Sequence, residues 1–149
     1  PGGRQNLIKK WSRKGGILLT SERLFQGLVK KQHCLVQLQS PGPDAIVLDE
    51  AHTMLKSSGN LVFKALMGVK TRRRICLTDS PFQNNLLEYF RMVSYIRPGL
   101  LGKSERKFKK DYGAILEGNV ADAPEDIKQY ADDKLHEIQE RLSPYVHRK

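Results

Sequence analysis

The sequence predicts an α/β fold: a parallel β-sheet flanked by helices, followed by a helical C-terminal extension. Three observations predict it. Short apolar runs of strand length occur three times, and stretches with helical spacing separate them. The last third is highly charged, carries helical patterns and contains no run of strand type.

The first run is Gly15-Gly16-Ile17-Leu18-Leu19-Thr20, an apolar segment after glycines with the length of a buried strand. Ser21 then reads as a helix cap, with Leu24, Phe25, Leu28 and Val29 at helical spacing behind it. Ser40-Pro41-Gly42-Pro43-Asp44 is dense in turn residues and breaks the chain. The second run, Ala45-Ile46-Val47-Leu48, ends in Asp49-Glu50. After Ser57-Ser58-Gly59-Asn60, the residues Leu61, Phe63, Leu66 and Met67 predict a short helix. Arg74-Ile75-Cys76-Leu77-Thr78 is the third run. An amphipathic stretch follows Pro81, with Leu86, Leu87, Phe90, Val93 and Ile96 on one face, and Pro98-Gly99 ends it. Helical patterns around Phe108–Leu116 and Ile127–Leu142 complete the chain. The expected organisation is a lobe over residues 1–102 and a charged helical extension of the same lobe over 103–149.

Composition narrows the function. A hydrophobic fraction of 39% and a charged fraction of 28% are those of an ordinary soluble globular protein. No apolar run approaches the roughly 20 residues that span a bilayer, so no membrane partner is expected. Residues 1–14 are polar and basic without the apolar core of a signal peptide. Pro1 stands where an initiator Met would, which suggests a piece of a longer chain. Cys34 and Cys76 are too few for a disulfide framework and have no Cys or His at metal-ligand spacing. They read as reduced thiols in an intracellular protein, and zinc is not expected. The net charge of +10 lies wholly in residues 1–102, which hold 16 basic and 6 acidic residues; residues 103–149 hold ten of each. Such a basic half suits phosphate backbones or a well-solvated surface, and charge alone leaves both open.

The chemistry concentrates at Ala45-Ile46-Val47-Leu48-Asp49-Glu50-Ala51-His52. A buried strand here delivers two carboxylates to the C-terminal edge of a parallel sheet, where ligands of α/β folds bind. In nucleoside triphosphatases one such carboxylate holds magnesium and the next orients or deprotonates the attacking water. An acidic pair after a strand is also a favourable helix start, so the string alone does not decide.

Its neighbours do. Leu18-Leu19-Thr20-Ser21, Asp49-Glu50-Ala51-His52 and Arg73-Arg74-Ile75-Cys76-Leu77-Thr78-Asp79-Ser80-Pro81-Phe82-Gln83-Asn84-Asn85 resemble three consecutive motifs (Ib, II and III) of helicase superfamily two, in the order and spacing of Swi/Snf-type ATPases. The continuation Leu87-Glu88-Tyr89-Phe90-Arg91-Met92-Val93 through Ile96-Arg97-Pro98 to Leu101-Gly102 is similar to that family, and is untypical of RNA helicases in the same superfamily. Pro41-Gly42-Pro43-Asp44, Asp122 and His147-Arg148-Lys149 look most like its ATRX-like branch. The resemblance implies an incomplete RecA-like lobe belonging to a DNA-dependent ATPase, with ATP and Mg2+ as cofactors. It implies double-stranded DNA and chromatin or nucleosomes as partners, and a nuclear location. Strand separation is not implied.

Residue by residue, the resemblance makes Asp49 the magnesium contact, through water, and Glu50 the catalytic carboxylate. His52 would link the nucleotide site to a second lobe. Thr78, Ser80, Gln83 and Asn84 would couple hydrolysis to DNA movement, and Thr20 and Ser21 would touch a DNA strand through its phosphates. Read without the resemblance, Thr20 and Ser21 are a strand end and a cap, and the Thr78–Asn84 string is a tight turn. The Arg72-Arg73-Arg74 triplet reads as a surface edge and Trp11 as a packing residue.

Departures from the family pattern define the alternative. Asp79 stands where the family carries Gly, and Glu22 where it often carries Tyr; Ser80 and Phe82 are milder changes. Asp79 is expected to weaken coupling between DNA and hydrolysis. The phosphate-loop pattern Gly-x-x-x-x-Gly-Lys-Ser/Thr is not met, because five residues before Gly102-Lys103-Ser104 stands Arg97. The true loop is expected upstream of residue 1 and the second lobe downstream of residue 149, so the 149 residues alone are expected to be inactive. The alternative is a degenerate, non-hydrolysing lobe that serves as a DNA-binding or protein-docking module.

Overall fold

A computed structural model describes residues 3–79, 86–113, 115 and 123–147. The chain divides into two compact units, residues 1–83 and 84–149.

The first unit packs helices beside a two-stranded parallel sheet. Its helices are α1 (Gly3–Lys14), α2 (Glu22–Val29), α3 (Gln32–Gln39), α4 (Ala51–Met54) and α5 (Leu61–Met67); its strands are β1 (Ile46–Leu48) and β2 (Arg74–Cys76). Helix α2 forms where the spacing predicts: Ser21 caps it by accepting from the Leu24 N–H at 3.3 Å, and Phe25, Leu28 and Val29 are buried. Asn60 caps α5 in the same way, accepting from Val62 N–H at 3.0 Å. Helix α3 packs against α1, α2 and α5. Its C-terminal Gln39 donates to the Ala65 carbonyl at 2.9 Å, tying α3 to α5. The turn after α3 needs Gly42, whose φ is +75° and where a Cβ would lie 2.9 Å from the Leu38 carbonyl oxygen.

Strands β1 and β2 pair in register Ile46↔Arg74, Val47↔Ile75 and Leu48↔Cys76. The ladder runs on through Leu77 N–H to the Leu48 carbonyl at 2.8 Å and Ala51 N–H to the Leu77 carbonyl at 3.0 Å. Two expectations need correction. Residues 15–20 form no strand, and Ile17 and Leu19 are 98% and 92% exposed. An apolar run supplies preference, but a strand also needs a ladder partner, and the one described ladder joins β1 to β2 alone, without residues 15–20. Nor is β1 buried on both faces, since Val47 and its partner Ile75 are 59% and 53% exposed while Leu48 is buried. One sheet face is covered and the other is bare among the described residues.

The second unit is helical: α6 (Leu86–Ile96), α7 (Glu105–Tyr112) and α8 (Glu125–Leu142). Helix α7 packs against both α6 and α8. An aromatic column holds the centre, with Phe90 to Phe108 centroids 4.8 Å apart and Phe108 to Tyr112 centroids 5.1 Å apart. Phe108 and Tyr95 are fully buried. Arg91 holds both oxygens of Glu105, at 2.8 and 3.1 Å, and thereby ties α6 to the start of α7. The Gly102-Lys103-Ser104 string is a helix entry, with the Ser104 hydroxyl accepting from Lys107 N–H at 3.2 Å. No described helix is long and apolar enough to cross a membrane.

Candidate functional site

The site grows from the way β1 ends. Directly after Leu48 the chain must leave the sheet and enter α4 within two residues. It does so by placing Glu50 in the left-handed region, at φ 47° and ψ 47°, the one described non-glycine residue with positive φ. For a residue with a Cβ this conformation costs about 1–2 kcal/mol. The turn is held in place by neighbouring bonds. Asp49 Oδ1 accepts from the Glu50 N–H at 3.1 Å, the Ala51 N–H bonds across to Leu77, and Thr53 donates its hydroxyl to the Glu50 carbonyl at 2.9 Å. Asp49 and Glu50 consequently stand exposed at the C-terminal edge of the sheet, where a sharp exit was required.

The same edge receives the end of β2. His52 Nδ1 lies 2.8 Å from Thr78 Oγ1, and 3.5 Å from Glu50 Oε2. His52 is half-buried, so this contact is shielded from water more than the carboxylates are. Asp79 follows Thr78 and joins the group: one ligand atom each from Glu50, His52 and Asp79 lie within 4.8 Å of one another. Two carboxylates held this close repel each other, and a cation placed between them would relieve that repulsion. The donor set is two hard oxygens and one imidazole; the oxygens suit Mg2+, whereas the imidazole suits softer divalent metals. Asp49, the expected magnesium contact, is outside this trio and uses one carboxylate oxygen to hold the turn.

The structure thus brings together Asp49, Glu50, His52 and Thr78 from two separate strings. Thr20 and Ser21 serve locally: Thr20 donates to the Ser21 carbonyl at 3.2 Å and Ser21 caps α2. Ser80, Gln83 and Asn84 lie outside the described residues, as does Asp122. Two residues gain a role that the sequence does not announce. Asp79 is legible there only as a departure from the family pattern. Glu22 accepts from Gln26 at 3.1 Å and lies 3.2 Å from the Thr53 hydroxyl, whose one proton it shares with the Glu50 carbonyl, so α4 meets α2 over 31 residues of separation. Cys76, on β2, is no nucleophile: burial pushes its thiol up to about 12 against the opposing pull of Arg74.

The sequence profile of the SNF2-related domain matches residues 3–149. The chain belongs to the SNF2-related domain family. The mouse transcriptional regulator ATRX is 32% identical over an alignment that takes in 100% of this chain and 6% of the mouse protein. The Arabidopsis thaliana protein CHROMATIN REMODELING 20 is 36% identical over 97% of this chain and 10% of its own length. The DNA repair and recombination protein RAD54-like of Drosophila ananassae is 42% identical over 62% of this chain and 12% of its own. This SNF2-related chain therefore spans a small part of the curated relatives it matches. Its mixed α/β architecture, with a small parallel sheet flanked by helices, is that of a partial RecA-like lobe.

Proposed function

We propose that this SNF2-related chain is part of the ATPase motor of a Swi/Snf-type chromatin remodeller, coupling ATP hydrolysis to movement along double-stranded DNA in the nucleus. The observation that supports it most is the joining of Glu50, at the strained exit of β1, to the end of β2 through His52 and Thr78. A carboxylate that must act on a nucleotide and a segment that must respond to DNA are thereby mechanically continuous.

Bound MgATP would supply the electrophilic γ-phosphorus and neutralise the charge that develops on its oxygens. Asp49 and Glu50, as hard carboxylate ligands at an open sheet edge, are of the type that holds such a metal. Glu50 would orient the attacking water and accept its proton on a carboxylate oxygen. Asp49 holds the Glu50 N–H and so fixes where that carboxylate begins. His52 shares its Nδ1 between Thr78 and Glu50, so a shift of the β2 exit alters the seating of the catalytic carboxylate. Thr20 and Ser21 would meet phosphates of a DNA strand, with Ser80, Gln83 and Asn84 continuing the coupling segment. The 149 residues contain no Gly-x-x-x-x-Gly-Lys-Ser/Thr loop, and on this reading they do not turn over ATP by themselves.

The test is hydrolysis by the full-length natural chain that carries these residues, with and without duplex DNA, beside Glu50→Gln. The proposal expects stimulation by DNA that disappears in the variant while duplex binding persists. Retained binding with no hydrolysis in either protein would favour a non-hydrolysing docking lobe instead.

A further inference from the structure

Helix α1 carries five cations, Arg4, Lys9, Lys10, Arg13 and Lys14, and no acidic residue. All five are exposed, and none makes an ion pair among the described residues. At the α-helical period Lys9, Lys10, Arg13 and Lys14 fall within roughly 140° of the circumference, centred opposite the buried Ile8. They form two adjacent rows, Lys9 over Arg13 and Lys10 over Lys14, each at the four-residue spacing where like charges repel. The negative end of the helix dipole accounts for Arg13 and Lys14 in the last turn, but not for Lys9 and Lys10.

We infer that this face of α1 is a docking surface for the phosphate backbone of double-stranded DNA, separate from Thr20 and Ser21; the inference rests on the motor reading above. Its length selects the partner. Residues 9 to 14 rise about 7.5 Å along the axis, a distance over which a duplex presents about four phosphates. Single strands are disfavoured because the face offers no stacking ring: Trp11 is half-buried with its indole N–H bonded to the Gly16 carbonyl at 3.0 Å. An acidic protein partner is disfavoured too, since protein interfaces centre on apolar and aromatic groups and are poor in Lys. The only large apolar side chain exposed on α1 is Leu7. Position along the chain agrees, because α1 passes through Gly15 and Gly16 directly into the Ile17–Ser21 segment.

The experiment measures duplex affinity of the full-length chain across a salt series, for wild type and for Lys9→Gln/Lys10→Gln/Arg13→Gln/Lys14→Gln. A control neutralises the exposed Lys103, Arg106, Lys109 and Lys110, and circular dichroism checks the fold of each variant. The α1 variant should bind at least about tenfold more weakly at low salt, with the slope of log affinity against log salt flattened by about 2–4. The control should change the slope by less than half as much. If the quadruple variant fails to fold, Lys9→Gln and Lys10→Gln alone should each flatten the slope by about 1. A wild-type slope in a folded α1 variant, or an equal loss in the control, overturns the inference while leaving DNA-stimulated hydrolysis by wild type to support the motor reading. Loss of polyglutamate binding with unchanged duplex binding also overturns it, in favour of an acidic protein partner. Wild type that binds no duplex at all removes both.

Discussion

The two units of this chain treat charge differently. In residues 84–149 five cations are paired within the unit: Arg91 with Glu105, Lys107 with Asp111, Lys128 with Glu125, and Lys134 and Arg141 with Glu137, while Lys103, Arg106, Lys109 and Lys110 stay exposed. Glu137 is a hub that also accepts from the Tyr112 hydroxyl at 2.9 Å, while Lys134 sits 5.7 Å above the Tyr112 ring. In residues 1–83, among the described residues, the cations of α1 have no such partners, the Val47–Ile75 face of the sheet is bare, and the carboxylates stand at an open edge. The second unit joins much of its charge internally around Glu105 and Glu137. The first leaves the α1 cations and the Val47–Ile75 face turned outward among the described residues.

The sharpest way to break this contrast is at Glu50. Glu50→Gln keeps size and removes the proton acceptor, so DNA-stimulated hydrolysis by the full-length chain should fall roughly 100- to 10,000-fold, the usual worth of a positioned acid or base. Undiminished hydrolysis would remove the chemistry from this edge. On the other side, Phe108→Ala should cost about 3–5 kcal/mol in chemical denaturation, because it empties the centre of the aromatic column. A loss under 1 kcal/mol would mean the second unit does not depend on that core.

Smaller effects sharpen the comparison. Ser21→Ala removes the α2 cap and should lower stability by about 1 kcal/mol; if duplex affinity falls as well, Ser21 serves both the helix and DNA. The Glu137 hub should give the second unit a mild dependence on pH. Hydrogen bonds from Lys134 and Tyr112 hold the Glu137 carboxyl below its usual 4.5. Its stabilisation is therefore complete above that value and is lost as pH falls through the lowered folded value. The same Glu137 bond raises Lys134 above 10.5, while burial first and then Glu137 raise Tyr112 above 10.0; their contributions hold below those values and fade as pH rises past the raised ones. Glu137→Gln should flatten the acid limb of a stability profile at a cost under about 1 kcal/mol, since these partners are largely solvated. An unchanged acid limb would show that the hub contributes nothing measurable.

How much of this could be read in advance follows from where each signal resides. Helices α2, α5 and α8 and the strand cores at Ile46–Leu48 and Arg74–Cys76 were legible because periodicity and capping residues are local. Helices α1 and α3 were not: one is almost wholly polar and the other is eight residues of weak pattern, and each gains its helix by packing on the other. Residues 17–20 failed the other way, since a strand depends on a partner edge as well as its own residues. Asp49 and Glu50 could be singled out as an acidic pair at a strand exit, a string that alone does not decide, and the roles given to them and to His52 came from the family resemblance. The left-handed turn at Glu50, the His52–Thr78 bond and the arrival of Asp79 beside them are tertiary facts. The last two join positions 26 or more residues apart, beyond the reach of any local pattern.

The central claim is movement along duplex DNA driven by hydrolysis at the β1 exit. Displacement of a third strand from a triplex by the full-length chain measures it directly, because a translocating motor strips that strand without opening the duplex. The account predicts displacement that requires ATP and is lost in Glu50→Gln. Vigorous DNA-stimulated hydrolysis with no displacement, or displacement without ATP, would contradict it.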